Sequence, residues 1–136
     1  MTSPRFILDT NIVSDLIRNP AGRVVQHIGR IGDHGLAVSI ISAAELRFGA
    51  IKSGSPRLCE RVDAVLGRLA VLPFDVPADA EYASVRAELE AVGKPIGPND
   101  LLIAAHARSL DATMVTNNVA EFGRVRGLRV ENWLAG

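Results

Sequence analysis

Short apolar runs alternate along this chain with segments whose apolar residues recur at helical spacing, a pattern that restricts it to parallel crossover units. Arg5-Phe6-Ile7-Leu8-Asp9 reads as a buried strand ending in a carboxylate. Ile12, Val13, Leu16 and Ile17 then share one helical face, with Asn19-Pro20 as the stop. Val24, Val25, Ile28 and Ile31 mark a second helix, closed by Gly32 and Gly35. Leu36-Ala37-Val38-Ser39-Ile40 is the next strand, followed by a helix from about Ala43 to Ile51 with Ser42 as its cap. Leu58, Val62, Val65, Leu66 and Leu69 line a further helix ahead of Val71-Leu72-Pro73-Phe74, where Pro73 argues for a strand end or a sheet edge. A helix over Ala78–Val92, a Gly/Pro loop over 93–98 and a helix from Asn99 to Leu110, apolar on nearly all sides, come next. Ala112–Thr116 and Leu128–Val130 complete the strands. The expectation is one domain over residues 1–136, a three-layer α/β fold around a mainly parallel sheet of four to five short strands. In such sheets ligands bind outside the carboxyl ends of the strands, which directs attention to Asp9, to the turn after Ile40 and to Thr116-Asn117-Asn118.

Composition agrees with a packed core. The chain has 136 residues, 48% hydrophobic and 22% charged, with 15 basic and 15 acidic side chains. That apolar content at zero net charge excludes intrinsic disorder. The longest apolar runs fall far short of the ~20 residues that span a bilayer. Met1-Thr2-Ser3-Pro4 leads directly into the first strand without the pattern of a signal peptide. Cys59 is the single cysteine, so no disulfide forms within the chain. The expected location is the cytoplasm. The pI near 6.8 is silent on nucleic acid, although nearly all the cations are arginine, which suits phosphate.

Three carboxylates stand where ligand chemistry is expected. Asp9 closes the first strand, and a cap for the following helix is its plainer reading. Asn11 two positions later is not the second acid that an aspartyl-nucleophile phosphatase would carry. Glu45 falls three residues after Ser42, the spacing of a capping box, yet a carboxylate there also projects toward the ligand edge. Asp100 opens the buried helix with no Lys or Arg near it in sequence, and a buried carboxylate needs a cation or strong hydrogen bonds. Asn117 and Asn118 follow a strand end, where Asn pairs serve turns as readily as sites. Three such acids on one sheet edge would repel one another unless a cation lay between them. Hard oxygen donors without a Cys/His cluster favour Mg²⁺ or Mn²⁺ over Zn²⁺. His27, His34 and His106 show no zinc spacing, and His106, in mid-helix, reads as structural.

Four segments, taken together, resemble the PIN-domain ribonucleases and more narrowly the VapC toxins of bacterial toxin–antitoxin pairs. They are Leu8-Asp9-Thr10-Asn11, Ala44-Glu45-Leu46-Arg47-Phe48-Gly49, Pro95–Asp100 with Leu102–Ala107, and Val115-Thr116-Asn117-Asn118-Val119-Ala120-Glu121-Phe122. The resemblance implies a PIN-like α/β/α fold. It implies that Asp9, Glu45 and Asp100 coordinate Mg²⁺ or Mn²⁺ directly or through water, supported by Asn11, Thr116 and Asn117. Asn118 stands where many members carry a fourth acid, a departure that leaves less charge for a second metal. The implied reaction is endonucleolytic cleavage of RNA by a metal-activated water, leaving a 5′-phosphate and a 3′-hydroxyl. The implied partners are the RNA substrate, a second copy of the chain and a VapB-type antitoxin. The antitoxin's C-terminal segment would fill a groove beside the site, with helices around 11–18 and 43–70 as candidate walls. Arg18, Arg47 and Arg57, with Arg23, Lys52 and Arg61, are candidate phosphate contacts. The competing readings are a receiver-like regulatory domain, which lacks its acidic pair and late lysine here, and a PIN-like module that binds RNA or protein without cutting.

Overall fold

The computed structural model describes residues 4–135. Among them, five strands form one sheet: β1 (Phe6–Leu8), β2 (Leu36–Ser39), β3 (Ala70–Leu72), β4 (Thr113–Val115) and β5 (Val130–Glu131). Their order is β3-β2-β1-β4-β5, with every neighbouring pair parallel. The helices are α1 (Thr10–Arg18), α2 (Arg23–Ile31), α3 (Ile40–Ser53), α4 (Pro56–Arg68), α5 (Ala78–Ala91), α6 (Pro98–Ser109) and the short α7 (Val119–Phe122).

Alternation along each strand splits the core into two. Phe6, Leu8, Leu36, Val38 and Val115 point to one face and pack with Ile12, Val13, Val24, Leu46, Val62, Leu66 and Trp133. Ile7, Ala37 and Met114 point to the other, against Val85, Leu89, Leu101, Ile103, Ala104, Ala107 and Phe122. Helices therefore cover both faces, as parallel strands require. The all-round apolar character of the segment after Asn99 is explained by α6, which has six buried residues. β3 is an edge strand ending just before Pro73, so the missing N–H breaks no ladder. No helix among the described residues is long and apolar enough to cross a membrane.

The structure corrects one boundary. α3 begins at Ile40 rather than near Ala43, and its cap is Ser39, whose Oγ accepts from the Ile41 N–H at 3.1 Å. Ser42 lies inside the helix, fully buried, with its hydroxyl lacking a protein partner. The capping box with Glu45 is thereby abolished, because Glu45 sits in the second turn of the helix. Ile40 and Ile41 have strand propensity, but a tertiary contact overrides it. The Ser39 hydroxyl and His106 Nδ1 share a hydrogen bond at 2.8 Å, and the ring also bonds the Pro73 backbone. Burial holds His106 below its ordinary pKa, which favours the neutral ring. His106 is thus a structural pin joining α6 to the start of α3.

Strand order positions the functional edge. The chain runs outward from β1 to β2 and β3, then crosses to β4 on the other side of β1. The reversal lies between β1 and β4, and crevices at such reversals are where open α/β sheets bind ligands. Asp9 follows β1 and Thr116 follows β4, and the two segments are joined by the Asp9 N–H donating to the Val115 carbonyl at 2.8 Å.

Candidate active site

Asp9 both caps α1 and faces the crevice. Its Oδ1 accepts from the Thr10 N–H and its Oδ2 from the Thr116 hydroxyl, each at 2.8 Å. Only 4% of the residue is exposed. Burial raises its pKa, against the lowering effect of those two hydrogen bonds, and the charges of Glu45 and Glu121 push upward as well.

Glu45 reaches the same edge from α3. Its Oε1 accepts from the Thr10 hydroxyl at 2.6 Å and its Oε2 from the Asn99 side-chain amide at 3.0 Å. The carboxylate thereby ties the start of α1 to the start of α6. Asp100, in the first turn of α6, is raised to a pKa of about 7. Burial contributes most, followed by the charge of Asp9, the charge and hydrogen bond of Glu121, and the charge of Glu45.

Glu121 is the residue that sequence reasoning passed over. Its Oε1 accepts from the Gly97 N–H at 2.7 Å and its Oε2 from the Asn118 amide at 2.6 Å. The Gly97 N–H is the main cause of its lowered pKa. Glu121 and Asp100 lie side by side, since a Cβ on Gly97 would stand 3.6 Å from Glu121 Oε1 and 3.9 Å from Asp100 Oδ2. The Asn118 amide is thus engaged with Glu121. The available signal was the three-residue spacing of Asn118 and Glu121, one turn of a helix, but the four residues of α7 are too few to show a period.

The remaining candidates divide. Thr116 bonds Asp9 and accepts from the Asn118 N–H at 2.9 Å; Asn11 donates to Asn117 Oδ1 at 3.2 Å, bridging the start of α1 and the loop after β4. Thr10 and Asn99, not singled out from sequence, hold Glu45. Arg47 is ion-paired with Asp63 across the α3–α4 hairpin, Arg18 bonds the Ser14 carbonyl at 3.4 Å, and Arg57 is exposed in the first turn of α4. Among the described residues, none of these three bonds the acids.

Charge is unbalanced here. The ion pairs of the described residues join Arg47–Asp63, Arg86–Glu90, Arg108–Glu81, Arg108–Glu88 and Arg129–Asp111, and none involves Asp9, Glu45, Asp100 or Glu121. Four converging carboxylates without a paired cation fit a divalent ion with a preference for oxygen. No three of the described acidic, His or Cys side chains close on one point as a ready-made ligand set. Their oxygens are held by Thr10, Asn99, Thr116, Gly97 and Asn118, an arrangement suited to a cation that keeps several of its waters.

Comparison with known proteins places this arrangement. The PIN domain family model matches residues 6–128. The tRNA(fMet)-specific endonuclease VapC of Shigella flexneri is 39% identical over 130 residues, covering 95% of this chain and 98% of that protein. Ribonuclease VapC2 of Haemophilus influenzae is 41% identical over 133 residues, covering 96% and 98%. The crystal structure of DNA-bound VapBC from Salmonella typhimurium superposes with a TM-score of 0.90 at 37% identity, covering 96% of this chain and 98% of that one.

Proposed function

The chain belongs to the PIN-domain family, among its VapC ribonucleases, and from that premise we propose that it is a divalent-metal-dependent endoribonuclease, the toxin of a VapB–VapC pair. One observation carries the reading: four carboxylates face one crevice at the sheet's reversal point, none of them ion-paired, and Asp100 is driven to a pKa of about 7. PIN-domain ribonucleases use divalent metal, and the all-oxygen donor set favours Mg²⁺, with Mn²⁺ as the alternative.

Asp9, Glu45 and Asp100 would hold the ion directly or through water, with Glu121 as the fourth carboxylate. Bound there, a divalent ion supplies Lewis acidity at the phosphate and lowers the pKa of the attacking water. The protein's own groups do the positioning. Thr116 and the Thr10 N–H fix both oxygens of Asp9, so its orientation is set before substrate arrives. Thr10 and Asn99 fix both oxygens of Glu45. Burial and the neighbouring acids raise Asp100 to a pKa of about 7, and a bound cation would relieve that repulsion and favour its carboxylate form. The expected products carry a 5′-phosphate and a 3′-hydroxyl, formed in the cytoplasm where RNA is met.

The partner follows the same chemistry. An acidic crevice that attracts a metal ion attracts an antitoxin guanidinium equally well. Apolar surface for the antitoxin's C-terminal segment is present on the expected helices. Phe48 and Ile51 stand 65% and 73% exposed on α3, and a cavity of about 340 Å³ opens between α1, α2 and α4, lined in part by Leu16, Val25, Ile28 and Val65. A second copy of the chain completes the proposed assembly.

The test is cleavage of total RNA by antitoxin-free protein with Mg²⁺, with Mn²⁺ and with EDTA, sequencing the product ends against an Asp9→Asn control. Discrete metal-dependent cuts with 5′-phosphate ends, lost in the variant, are expected. A folded protein that cuts no RNA class with either metal would overturn the nuclease and leave a binding module.

A further inference from the structure

Four carboxylates in one crevice repel a polyanion, so a nuclease built on them needs cations on the flanks to hold the neighbouring phosphates. Arg18, Arg47 and Arg57 do not reach the acids. A different set lies beside them. A groove of about 580 Å³ is lined by Val92, Lys94, Ala120, Gly123 and Arg124. Its two walls are the loop after α5 and the turn of α7, the same segments that Glu121 joins through the Gly97 N–H at 2.7 Å. The groove therefore borders α7, the helix that carries Glu121.

Its cations are uncommitted. Arg124 donates from Nη1 to the Pro95 carbonyl at 3.2 Å, which leaves the rest of its fork for another acceptor. Its charge also contributes to the lowered pKa of Glu121, a sign of its closeness to the acids. Lys94, one of two lysines in the chain, is exposed at the groove. Arg126 shares a neighbouring cavity with Arg124, and the acid there, Glu88, is already bonded to Arg108 at 3.2 Å. Among the described residues, Lys94, Arg124 and Arg126 enter no ion pair.

We infer that the Lys94–Arg124 groove is the binding track for the RNA strand, holding backbone phosphates next to the scissile one. The inference rests on the nuclease reading for its substrate and is tested separately from it. Arg supplies a planar fork to a phosphate and Lys a point charge, with no base contact, so the track carries affinity and register rather than sequence.

The experiment measures binding of a labelled single-stranded RNA by full-length Asp9→Asn protein across a salt series, alone and combined with Lys94→Ala, Arg124→Ala or both. In parallel, the cation variants are assayed for cleavage in the chain that retains Asp9. Each substitution is expected to weaken binding about three- to fivefold and to flatten the salt slope by about 0.7. In cleavage, KM rises in Lys94→Ala while kcat stays. Arg124→Lys, which keeps the charge, restores most of the slope and separates lost charge from a disturbed loop. Unchanged affinity and slope in the double variant, with the parent binding RNA, would overturn the track and leave the nuclease standing. Binding by the parent with no cleavage by the unmodified chain would remove the nuclease, while the slopes still decide the groove. Loss of kcat at unchanged KM would also overturn the track.

Discussion

The two ends of α6 hold charge in opposite conditions. At the C-terminal end, Arg108 donates from Nε to Glu81 at 2.7 Å, from Nη1 to Glu88 at 3.2 Å and to the Arg126 carbonyl at 2.9 Å. One cation lies between two acids of α5 and ties both helices to the loop before β5. At the N-terminal end, Asp100 meets Asp9, Glu45 and Glu121 with no cation between them. Both ends are partly buried, and both gather side chains from distant parts of the chain. The balanced end spends its charge on cohesion. The unbalanced end keeps like charges together, an arrangement that lowers stability and makes sense where the missing charge comes from outside.

That contrast is best broken at Asp9. Replacing it with Asn should lower metal-dependent RNA cleavage by about a hundredfold or more. The melting temperature of the metal-free protein should hold or rise, because a buried repelling charge is gone. Retained cleavage would place the reaction elsewhere. Glu121→Gln comes next. The amide oxygen can still accept from Gly97, but the charge is lost, so Mn²⁺ affinity by calorimetry should fall about tenfold. An unaltered affinity would reduce the cluster to three acids.

Arg108→Met tests the other end. It leaves Glu81 and Glu88 facing each other without their cation, and urea unfolding should show a loss of about 1–3 kcal/mol. Cleavage per folded molecule should be unchanged. Full stability with lost cleavage would mean that the two ends of α6 are not independent.

The smallest effect is in pH. Asp100 has a pKa of about 7 when folded, above its ordinary 3.8, so the folded chain holds this proton more tightly than the unfolded one. Its contribution to stability is complete below about pH 4 and declines as pH rises toward 7. Asp9, also raised, acts in the same direction, whereas the lowered value of Glu121 opposes them. Metal-free protein should therefore melt a few degrees lower at pH 8 than at pH 5, and added Mg²⁺ should remove the difference. A melting temperature that climbs with pH in the absence of metal would contradict the repulsion.

Local pattern made much of this legible. The strand–helix alternation and the edge position announced by Pro73 correspond to observed elements. The all-round apolar segment after Asn99 is the buried α6. Asp9 and Asp100 were conspicuous because each opens a helix at the sheet's ligand edge. For Glu45 the structure removes the competing reading: Ser42 does not cap its helix, and the carboxylate reaches the crevice, where Thr10 and Asn99 hold it. The residue order alone offered no way to rank Asn118 against Glu121.

Residue order was enough for an α/β chain with Asp9 after the first strand and Glu45 and Asp100 in later helices, because period and composition act over a few neighbouring residues. Tertiary structure alone decided which donors hold them. Glu121 meets Gly97 across 24 residues, Thr10 meets Glu45 across 35, Asn99 meets Glu45 across 54 and Thr116 meets Asp9 across 107. It also decided the cap at Ser39, whose hydroxyl finds His106 across 67 residues. Such hydrogen bonds have no local period, and they form only when the strand order β3-β2-β1-β4-β5 brings the ends of β1 and β4 together. Charge repulsion is likewise a property of distance in space, so the crevice acquires its need for a cation only when the sheet has closed around it.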